Sequence, residues 1–380
     1  MRNTMKNDML GLIFAENPEA GLGELTGKRS LAAVPFGGRY RIIDFILSSM
    51  VNSKIINVGI TTSYNYQSLS DHLGTGKAWD LDRKHNGLFI HPPTKIRETG
   101  SEKPGGIDIL HDVRKYLVRS SQEYVAVADC NTICNMDFSD ALQCHIDNEA
   151  DITLIYHREG EIPQSNLKRQ ILLDVDEDGV VKDIHVYPTK QKTNLSYMHR
   201  FIIRKDLLID LVDDAHSHGK HIISKDIFLA NLSRLKICAY EYEGIQLKID
   251  DIKTFFDANL QLLEREIREE LFGLKTEMPI YTKVKDTIPT KYGKNADVSG
   301  SIIADGCVIE GTVKNCILFR GVHIGKGASV ENCIIMQNSD IRENCMMANV
   351  IFDKEVVLRS GKKLIGQETY PMVIGKGAVI

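Results

Sequence analysis

The sequence has no apolar run near the ~18 residues that a membrane-spanning helix requires. Residues 1–8 contain no apolar core followed by a small-residue cleavage site, so they do not resemble a secretory signal. Neither sign of charge dominates, because 47 Lys and Arg face 51 Asp and Glu, which argues against a basic nucleic-acid scaffold. We expect a cytoplasmic protein that binds neither membranes nor nucleic acid.

Cysteine spacing and composition exclude further classes. The eight cysteines form no CxxC pair, which argues against a zinc ribbon and against a thioredoxin-like motif. We therefore predict no metal site from the cysteines and expect reduced, buried thiols. With 43% hydrophobic residues and only 10 prolines, the chain is neither disordered nor collagen-like.

The first part of the chain has the pattern of a Rossmann-like α/β domain. A length of 380 residues allows two or three domains of ~100–200 residues each. Up to about residue 270, short apolar runs alternate with helical patterns. Within Tyr40–Ser53, apolar side chains recur at i, i+3 and i+4, which predicts a helix in a βαβ unit. The predicted strands are Met9–Phe14, Val58–Thr62, Tyr124–Ala128, Ile152–Tyr156, Ile171–Asp174 and Leu195–Ile203.

A different pattern begins beyond Asn295. Apolar residues then recur every six positions, in one series at Cys316, Val322, Ala328 and Ile334 and in another at Leu318, Ile324, Val330 and Met336. The glycines expected at corners between them are Gly300, Gly306, Gly311, Gly321, Gly325 and Gly327. This period is typical of hexapeptide repeats in a left-handed parallel β-helix, which often serves as an assembly surface. An ordinary sandwich with accidental spacing is the alternative.

The two patterns predict the domain organisation. We expect an α/β domain at 1–254, a linker helix and connection at 255–294, and a β-helix at 295–380. The linker prediction rests on the apolar spacing between Phe255 and Phe272, which describes one amphipathic helix.

Three segments indicate a family. Residues 33–45 read AVPFGGRYRIIDF, residues 79–82 read WDLD, and residues 258–260 read ANL. In this order, and with the hexapeptide region, they resemble the sugar-nucleotide pyrophosphorylases, in particular the bacterial glucose-1-phosphate adenylyltransferases. The resemblance implies a nucleotidyltransferase domain. It also implies a reaction in which ATP and glucose-1-phosphate give ADP-glucose and pyrophosphate.

That chemistry needs backbone N–H groups around the triphosphate, cations at the leaving group, and carboxylates that hold Mg²⁺. The resemblance places the early phosphate-loop glycines at Glu16, Asn17 and Glu19, and the phosphate-binding arginine at Gly21. Its catalytic lysine falls on Leu31. Carboxylates in this loop repel a triphosphate, so we predict that the phosphate cradle is absent.

The metal and sugar-phosphate positions also differ from the family pattern. The resemblance places the two magnesium-binding aspartates at Asn131 and Lys248. It places the sugar-phosphate lysine at Tyr187 and a nearby glycine at His199. A shifted register that uses Asp129 as a metal ligand is the alternative. The predicted degenerate catalytic positions are Gly21, Leu31, Asn131, Tyr187 and Lys248.

A retained scaffold with an altered site resembles the non-catalytic, GlgD-type regulatory subunits of this family. The resemblance implies a catalytic partner chain in a mixed tetramer, with Mg²⁺ at the partner only and self-association as a further option. We expect no cofactor on this chain and little or no turnover by it alone. A second hypothesis is an active enzyme whose ligands have moved to Asp129, Asp226, Asp250 or Asp251. A third is a hexapeptide acyltransferase that uses His323.

Basic residues cluster around the segment at 33–45. The resemblance implies that phosphorylated effectors bind here, and the candidate residues are Lys28, Arg29, Arg39 and Arg41. The alternative is structural, with the arginines satisfying Asp44 and loop carbonyls at the domain junction.

Overall fold

The computed structural model describes residues 8–15, 21–62, 65–92 and 105–380. These residues form an α/β domain followed by a parallel β-helix, as predicted. The strands of the α/β domain are β1 (Met9–Phe14), β2 (Pro35–Phe36), β3 (Tyr40–Arg41), β4 (Asn57–Thr61), β5 (Gly87–His91), β6 (Tyr124–Asp129), β7 (Thr132–Ile133), β8 (Ile152–Arg158), β9 (Ile171–Val175), β10 (Val181–Val186), β11 (Leu195–Arg204), β12 (Ile237–Glu241) and β13 (Leu247–Lys248).

The helices all precede the β-helix, and short 3₁₀ turns and a π-helical turn at Ile223–Phe228 connect some of them. No helix in the described ranges is long and apolar enough to cross a membrane. The helices are α1 (Ile42–Asn52), α2 (Gln67–Leu73), α3 (Gly106–Asp112), α4 (Arg114–Arg119), α5 (Phe138–Asp147), α6 (Gln164–Leu167), α7 (Lys205–Ser217), α8 (Ile252–Gln261) and α9 (Arg265–Leu271).

The main sheet is mixed, in the order β10-β9-β11-β6-β1-β4-β5, and β8 pairs with β11 and β12. Strand β1 is parallel to both β4 and β6, so the carboxyl ends of these three strands lie at one edge. The predicted βαβ unit is confirmed as β1-α1-β4. All six predicted strands are present, with ends that differ from the prediction by at most two residues.

Both faces of this sheet are covered by apolar cores. One core contains Phe45 and Ile46 of α1, and it also includes residues of the β-helix. The other core contains Leu110 of α3, Leu117 of α4 and Leu211 of α7. The α/β domain and the β-helix therefore share one core.

The predicted helix from Phe255 to Phe272 is wrong in detail, because two helices, α8 and α9, occupy this region. The Arg268 guanidinium donates to the carbonyl oxygens of Leu262 (2.7 Å) and Leu263 (3.2 Å), just after the end of α8. A side chain that donates to the carbonyls at a helix end replaces the hydrogen bonds of a further helical turn, so the helix can end there. Apolar spacing alone does not reveal this break.

The β-helix is built from short parallel strands. Its register pairs His323 with Asp340 and Asp340 with Val357, so these coils take 17 residues, one short of three hexads. Its strands are β14 (Lys291–Tyr292), β15 (Asp297–Ser299), β16 (Ile302–Ile303), β17 (Val308–Ile309), β18 (Thr312–Lys314), β19 (Ile317–Leu318), β20 (His323–Ile324), β21 (Ser329–Ile335), β22 (Asp340–Ile341), β23 (Met346–Phe352), β24 (Val357–Leu358), β25 (Lys363–Ile365) and β26 (Met372–Ile374).

The apolar phase shifts within β21. Cys333 and Ile335 belong to the core of the β-helix, whereas Ile334 and Met336 belong to the core shared with the α/β domain. Ile334 and Met336 follow the six-residue spacing, but they do not face the interior of the β-helix. The cause is the coil length, because Ile334 lies in register with Ile317, which also packs on the α/β domain.

Corners of the β-helix use asparagine as well as glycine. The predicted corner glycines with positive φ are Gly300, Gly306, Gly321 and Gly327. Gly311 and Gly325 also lie between consecutive strands, as predicted, but have no positive φ; instead they lie close to the next coil. A Cβ at Gly311 would be 2.4 Å from the carbonyl oxygen of Ala328. The further positive-φ residues of the β-helix are Asn315, Asn332, Asn338, Asn344, Asn349, Glu355, Gly361 and Gly377.

Candidate functional site

The two positions that the resemblance assigns to metal ligands meet at the carboxyl end of β6. Asn131 follows β6, and Lys248 lies opposite Thr132 in the antiparallel β13–β7 pair. Asn131 Nδ2 donates a hydrogen bond of 3.2 Å to Asp250 Oδ1. Lys248 Nζ lies 3.7 Å from Asp250 Oδ2. Both side chains therefore contact one carboxylate.

These residues do not fit Mg²⁺, which binds through oxygen ligands and needs carboxylates in such sites. The Lys248 ammonium faces Asp250 instead and also donates to Gln170 Oε1 at 3.1 Å. Asn131 is buried and neutral. Among the described residues, no group of three or more His, Cys, Asp or Glu side chains is arranged to hold a metal ion.

Asp129, the alternative metal ligand, is buried at the end of β6 with 6% of its surface exposed. Its Oδ1 has no hydrogen-bond partner within the described part of the chain, and Oδ2 lies 3.9 Å from His199 Nδ1. Burial raises the pKa of Asp129 to about 7, although Arg200 and Lys248 oppose the shift. A carboxyl group that retains its proton near neutral pH is a poor ligand for a divalent cation.

We expect Asp129 to make the chain less stable as the pH rises from about 4 to about 7. The folded carboxyl binds its proton more tightly than the unfolded one, so its stabilising contribution is complete below about pH 4 and is lost through about pH 7. The slope is at most about 1.4 kcal/mol per pH unit. Urea unfolding of the Asp129→Asn variant at several pH values measures how much Asp129 contributes to this slope. If the slope of the unfolding free energy against pH is the same as in the unsubstituted chain, Asp129 is not responsible for it. Asp206→Asn, at an exposed carboxylate, is the matched control.

The other degenerate positions have structural contacts. The Gly21 backbone N–H donates to the Asp250 carbonyl at 2.7 Å, and Leu31 is buried in the core. The Tyr187 N–H donates to the Gln170 carbonyl at 2.9 Å. None of the three carries a cation. The predicted loop residues 16–19 lie outside the described residues.

The remaining candidates for relocated metal ligands act as local caps. Asp226 Oδ2 accepts backbone hydrogen bonds from His221 (3.1 Å) and Ile222 (2.9 Å). Asp251 Oδ1 accepts the Thr254 N–H at 2.9 Å and caps α8.

The histidine of the acyltransferase hypothesis faces carboxylates on both sides. His323 Nδ1 lies 2.7 Å from Asp340 Oδ1, and Nε2 lies 3.6 Å from Glu310 Oε2. Each ring nitrogen of His323 therefore faces a carboxylate on a neighbouring coil.

A fully buried arginine lies behind the site and is not predicted from the sequence. Arg200 Nη1 lies 2.6 Å from Cys134 Sγ, and Nη2 donates to the Thr132 carbonyl at 2.8 Å. The register of β11 shifts just before Arg200, where His199 has φ +54°. A left-handed backbone explains why a glycine suits this position in the family pattern.

A second candidate site is a basic cavity of about 210 Å³ at the domain junction, which we call the junction cavity. It is formed by the α/β domain, the connection after α9 and the β-helix. Among its described lining residues, seven are Lys or Arg and only Glu355 is acidic. The lining residues are Arg39, Tyr40, Arg41, His72, Lys283, Lys285, Arg320, Gln337, Asn338, Lys354, Glu355 and Lys376.

The predicted effector residues separate into two groups. Arg39 and Arg41 line the junction cavity, whereas Lys28 is exposed outside it. Arg29 is buried and donates through Nη2 to Asp353 Oδ2 of the β-helix at 2.5 Å. Arg41 also fits the structural alternative, in which the arginines satisfy loop carbonyls, because its Nη1 donates to the Ser68 carbonyl at 2.6 Å. Burial lowers the pKa of Arg41 to about 10.

Comparison with known proteins identifies the family. A nucleotidyl transferase profile matches residues 21–254, and a GlmU-like C-terminal hexapeptide profile matches residues 285–370. The chain is 37% identical over 373 residues to the glycogen biosynthesis protein GlgD of Bacillus subtilis, covering 98% of this chain and 97% of that protein. It is 32% identical over 387 residues to a glucose-1-phosphate adenylyltransferase of Clostridium perfringens, covering 100% and 96%. The chain belongs to the family of GlgD proteins and glucose-1-phosphate adenylyltransferases.

A GlgD protein of Geobacillus stearothermophilus is 41% identical over 326 residues, which cover 86% of this chain and 84% of that protein. The resemblance to this family is therefore confirmed, and so is the fold class of an α/β nucleotidyltransferase domain followed by a hexapeptide β-helix.

Sequence reasoning missed most cations of the junction cavity in this member of the GlgD and adenylyltransferase family. Two come from the connection and three from separate corners of the β-helix, so no local motif marks them. Only the fold brings them beside Arg39 and Arg41. The missed cations are Lys283, Lys285, Arg320, Lys354 and Lys376.

Proposed function

We propose that this chain is a regulatory, largely non-catalytic subunit of bacterial ADP-glucose pyrophosphorylase in glycogen biosynthesis. In this proposal it raises the activity of a paralogous catalytic subunit that makes ADP-glucose from ATP and glucose-1-phosphate. The observation that carries the proposal is the Lys248 ammonium, 3.7 Å from Asp250, at a position of a metal-binding aspartate in the family pattern. The names of the GlgD relatives support the pathway.

The loss of several groups supports a non-catalytic role more strongly than one loss does. Nucleotidyl transfer depends on cations that stabilise charge on the phosphates. Removing one well-placed electrostatic group typically costs ~10²–10³ in rate. Here Asn131 and Lys248 cannot replace the metal carboxylates, and Leu31 is an apolar core residue.

A small phosphorylated anion is the effector that the junction cavity suits best. Charge-assisted hydrogen bonds from Arg and Lys are the strongest contacts that proteins make with phosphate. Arg41 belongs to the α/β domain and Lys354 to the β-helix, so one anion in the cavity contacts both domains. We propose that such an anion stabilises their relative position and that this regulates the assembly.

The last coils of the β-helix support assembly with a partner chain in a mixed tetramer. Strands β25 and β26 pair only with β23, so their outer edges are open within the described residues. Apolar side chains near these edges are exposed: Ile365 by 60%, Tyr370 by 79% and Val379 by 58%. Open strand edges and exposed apolar groups favour contact with another chain.

An assay of ADP-glucose formation with Mg²⁺ tests the proposal. The purified chain, a catalytic homologue from the same organism and their mixture are compared. We expect no product above background from this chain alone and a faster rate from the mixture than from the homologue alone. Robust turnover by the isolated chain contradicts the proposal and supports an active enzyme with relocated ligands.

A matched pair of variants tests the assembly surface. Tyr370→Asp introduces a charge near the open edges, whereas Val118→Asp introduces one on α4, where Val118 is also exposed (53%). We expect only Tyr370→Asp to abolish stimulation of the catalytic homologue. Equal loss with both variants contradicts this interface.

A further inference from the structure

One lysine of the junction cavity has an unusual environment. Lys354 follows β23 at a corner of the β-helix and is half-buried. Within the described ranges, its ammonium forms no ion pair. The charged residues that act on it are Arg41, Arg29 and Lys285, which repel it, and Asp353, which attracts it.

Both carboxylate oxygens of Asp353 already accept hydrogen bonds from other donors. Its Oδ2 accepts from Arg29 Nη2 at 2.5 Å, and its Oδ1 accepts the backbone N–H of Lys354 at 2.7 Å. Both oxygens therefore have partners other than the Lys354 ammonium. The positive charge of Lys354 faces a net excess of positive neighbours.

The other titratable groups that face the cavity do not relieve this excess. Glu355, the acidic lining residue, lies 3.5 Å from Lys376. His72 contacts Asp44 through Nε2 at 2.6 Å, so that buried carboxylate is also occupied. The remaining charged or titratable lining residues are Arg39, Tyr40, Lys283 and Arg320.

Proton binding at Lys354 is correspondingly weak. Burial, followed by repulsion from Arg41 and Arg29, lowers the pKa of Lys354 to about 7. Burial moves the pKa of Tyr40 upwards and that of His72 downwards, so neither shift brings a titration into the range just above neutral pH. Among these three residues, Lys354 is therefore the one that can gain a proton near neutral pH when an anion binds.

We propose that an anion entering the junction cavity is bound together with one proton from solvent, which Lys354 takes up. This inference rests on the proposed function, because it requires the cavity to bind an anion. A bound anion offsets the repulsion from Arg41 and Arg29 and so stabilises the ammonium form. Linkage then requires anion affinity to fall above about pH 7, by at most about tenfold per pH unit.

This fall in affinity with rising pH is opposite to the effect that titration of a phosphate ligand would have. A phosphate group gains negative charge as the pH rises through about 6, which strengthens its binding to cations. Sulfate keeps its charge over this range, so it isolates the contribution of the protein.

Isothermal titration calorimetry with sodium sulfate tests the proposal on the full chain. Titrations at about pH 6 and about pH 8.5, each in two buffers of different ionisation enthalpy, give the number of protons taken up. We expect about one proton per sulfate at the higher pH and about 0.1 at the lower pH.

Three variants separate Lys354 from its surroundings. Lys354→Met abolishes the proton uptake, and Lys354→Arg makes sulfate affinity similar at both pH values because arginine keeps its charge. Lys376→Met removes another cavity cation and is the matched control, in which uptake persists. Circular dichroism confirms that each variant is folded.

The outcomes distinguish this inference from the proposed function. Sulfate binding without proton uptake, or uptake that persists in Lys354→Met, overturns the inference and leaves the anion cavity intact. Failure of sulfate to bind at either pH overturns the anion cavity itself, and the inference with it.

Discussion

The double variant Asn131→Asp/Lys248→Asp is expected to form ADP-glucose at less than about 10⁻³ of the rate of a catalytic homologue. The two substitutions remove the ammonium beside Asp250 and return carboxylates to both metal positions. They leave Leu31 in the core and no cationic side chain at Gly21. Because each missing electrostatic group typically costs ~10²–10³ in rate, metal ligands alone do not restore catalysis.

Metal binding is the control for this experiment. The double variant has new carboxylates beside Asp250, so binding of Mn²⁺ measured by electron paramagnetic resonance shows whether they are usable as ligands. Metal binding without turnover is the expected combination. A rate within about tenfold of the homologue contradicts the proposal that the missing cations also limit catalysis.

Replacing Arg29 by methionine is expected to lower the free energy of unfolding by about 3–5 kcal/mol. Arg29 and Asp353 are 4% and 1% exposed, and their ion pair joins the α/β domain to the β-helix. The substitution leaves Asp353 buried without its counter-charge, which costs more than the ion pair contributes. Urea unfolding followed by circular dichroism and by the fluorescence of Trp79 measures the loss.

An exposed ion pair provides the comparison. Arg158 and Glu241 lie 2.9 Å apart, but Arg158 is 53% exposed, so Arg158→Met should cost at most about 1 kcal/mol. The double variant Arg29→Met/Asp353→Asn should recover part of the stability, because it removes the unpaired charge. Equal losses for Arg29→Met and Arg158→Met contradict the importance of burial.

Much of the fold follows from local patterns. Strands such as β1 and β6 are buried apolar runs, and α1 has one apolar face. The hexapeptide period predicts the β-helix, but a 17-residue coil turns Ile334 and Met336 towards the α/β domain. A period shows that a repeat exists, whereas the phase depends on contacts between coils.

The candidate site is predictable only where a motif marks it. The family pattern identifies Asn131 and Lys248, yet their common contact with Asp250 depends on the pairing of β13 with β7. Arg200 has no motif, because a register shift in β11 sets its position. The cations of the junction cavity come from distant segments, which only tertiary packing brings together.

The ammonium of Lys248 is covalently part of the chain, so the positive charge beside Asp250 cannot dissociate. A magnesium site fills and empties with the free cation concentration, and chelators remove its ion. The segment from β6 to β7 therefore keeps its electrostatic balance whether magnesium is abundant or scarce. In the proposed assembly, we therefore expect the conformation of this segment not to change with the free magnesium concentration.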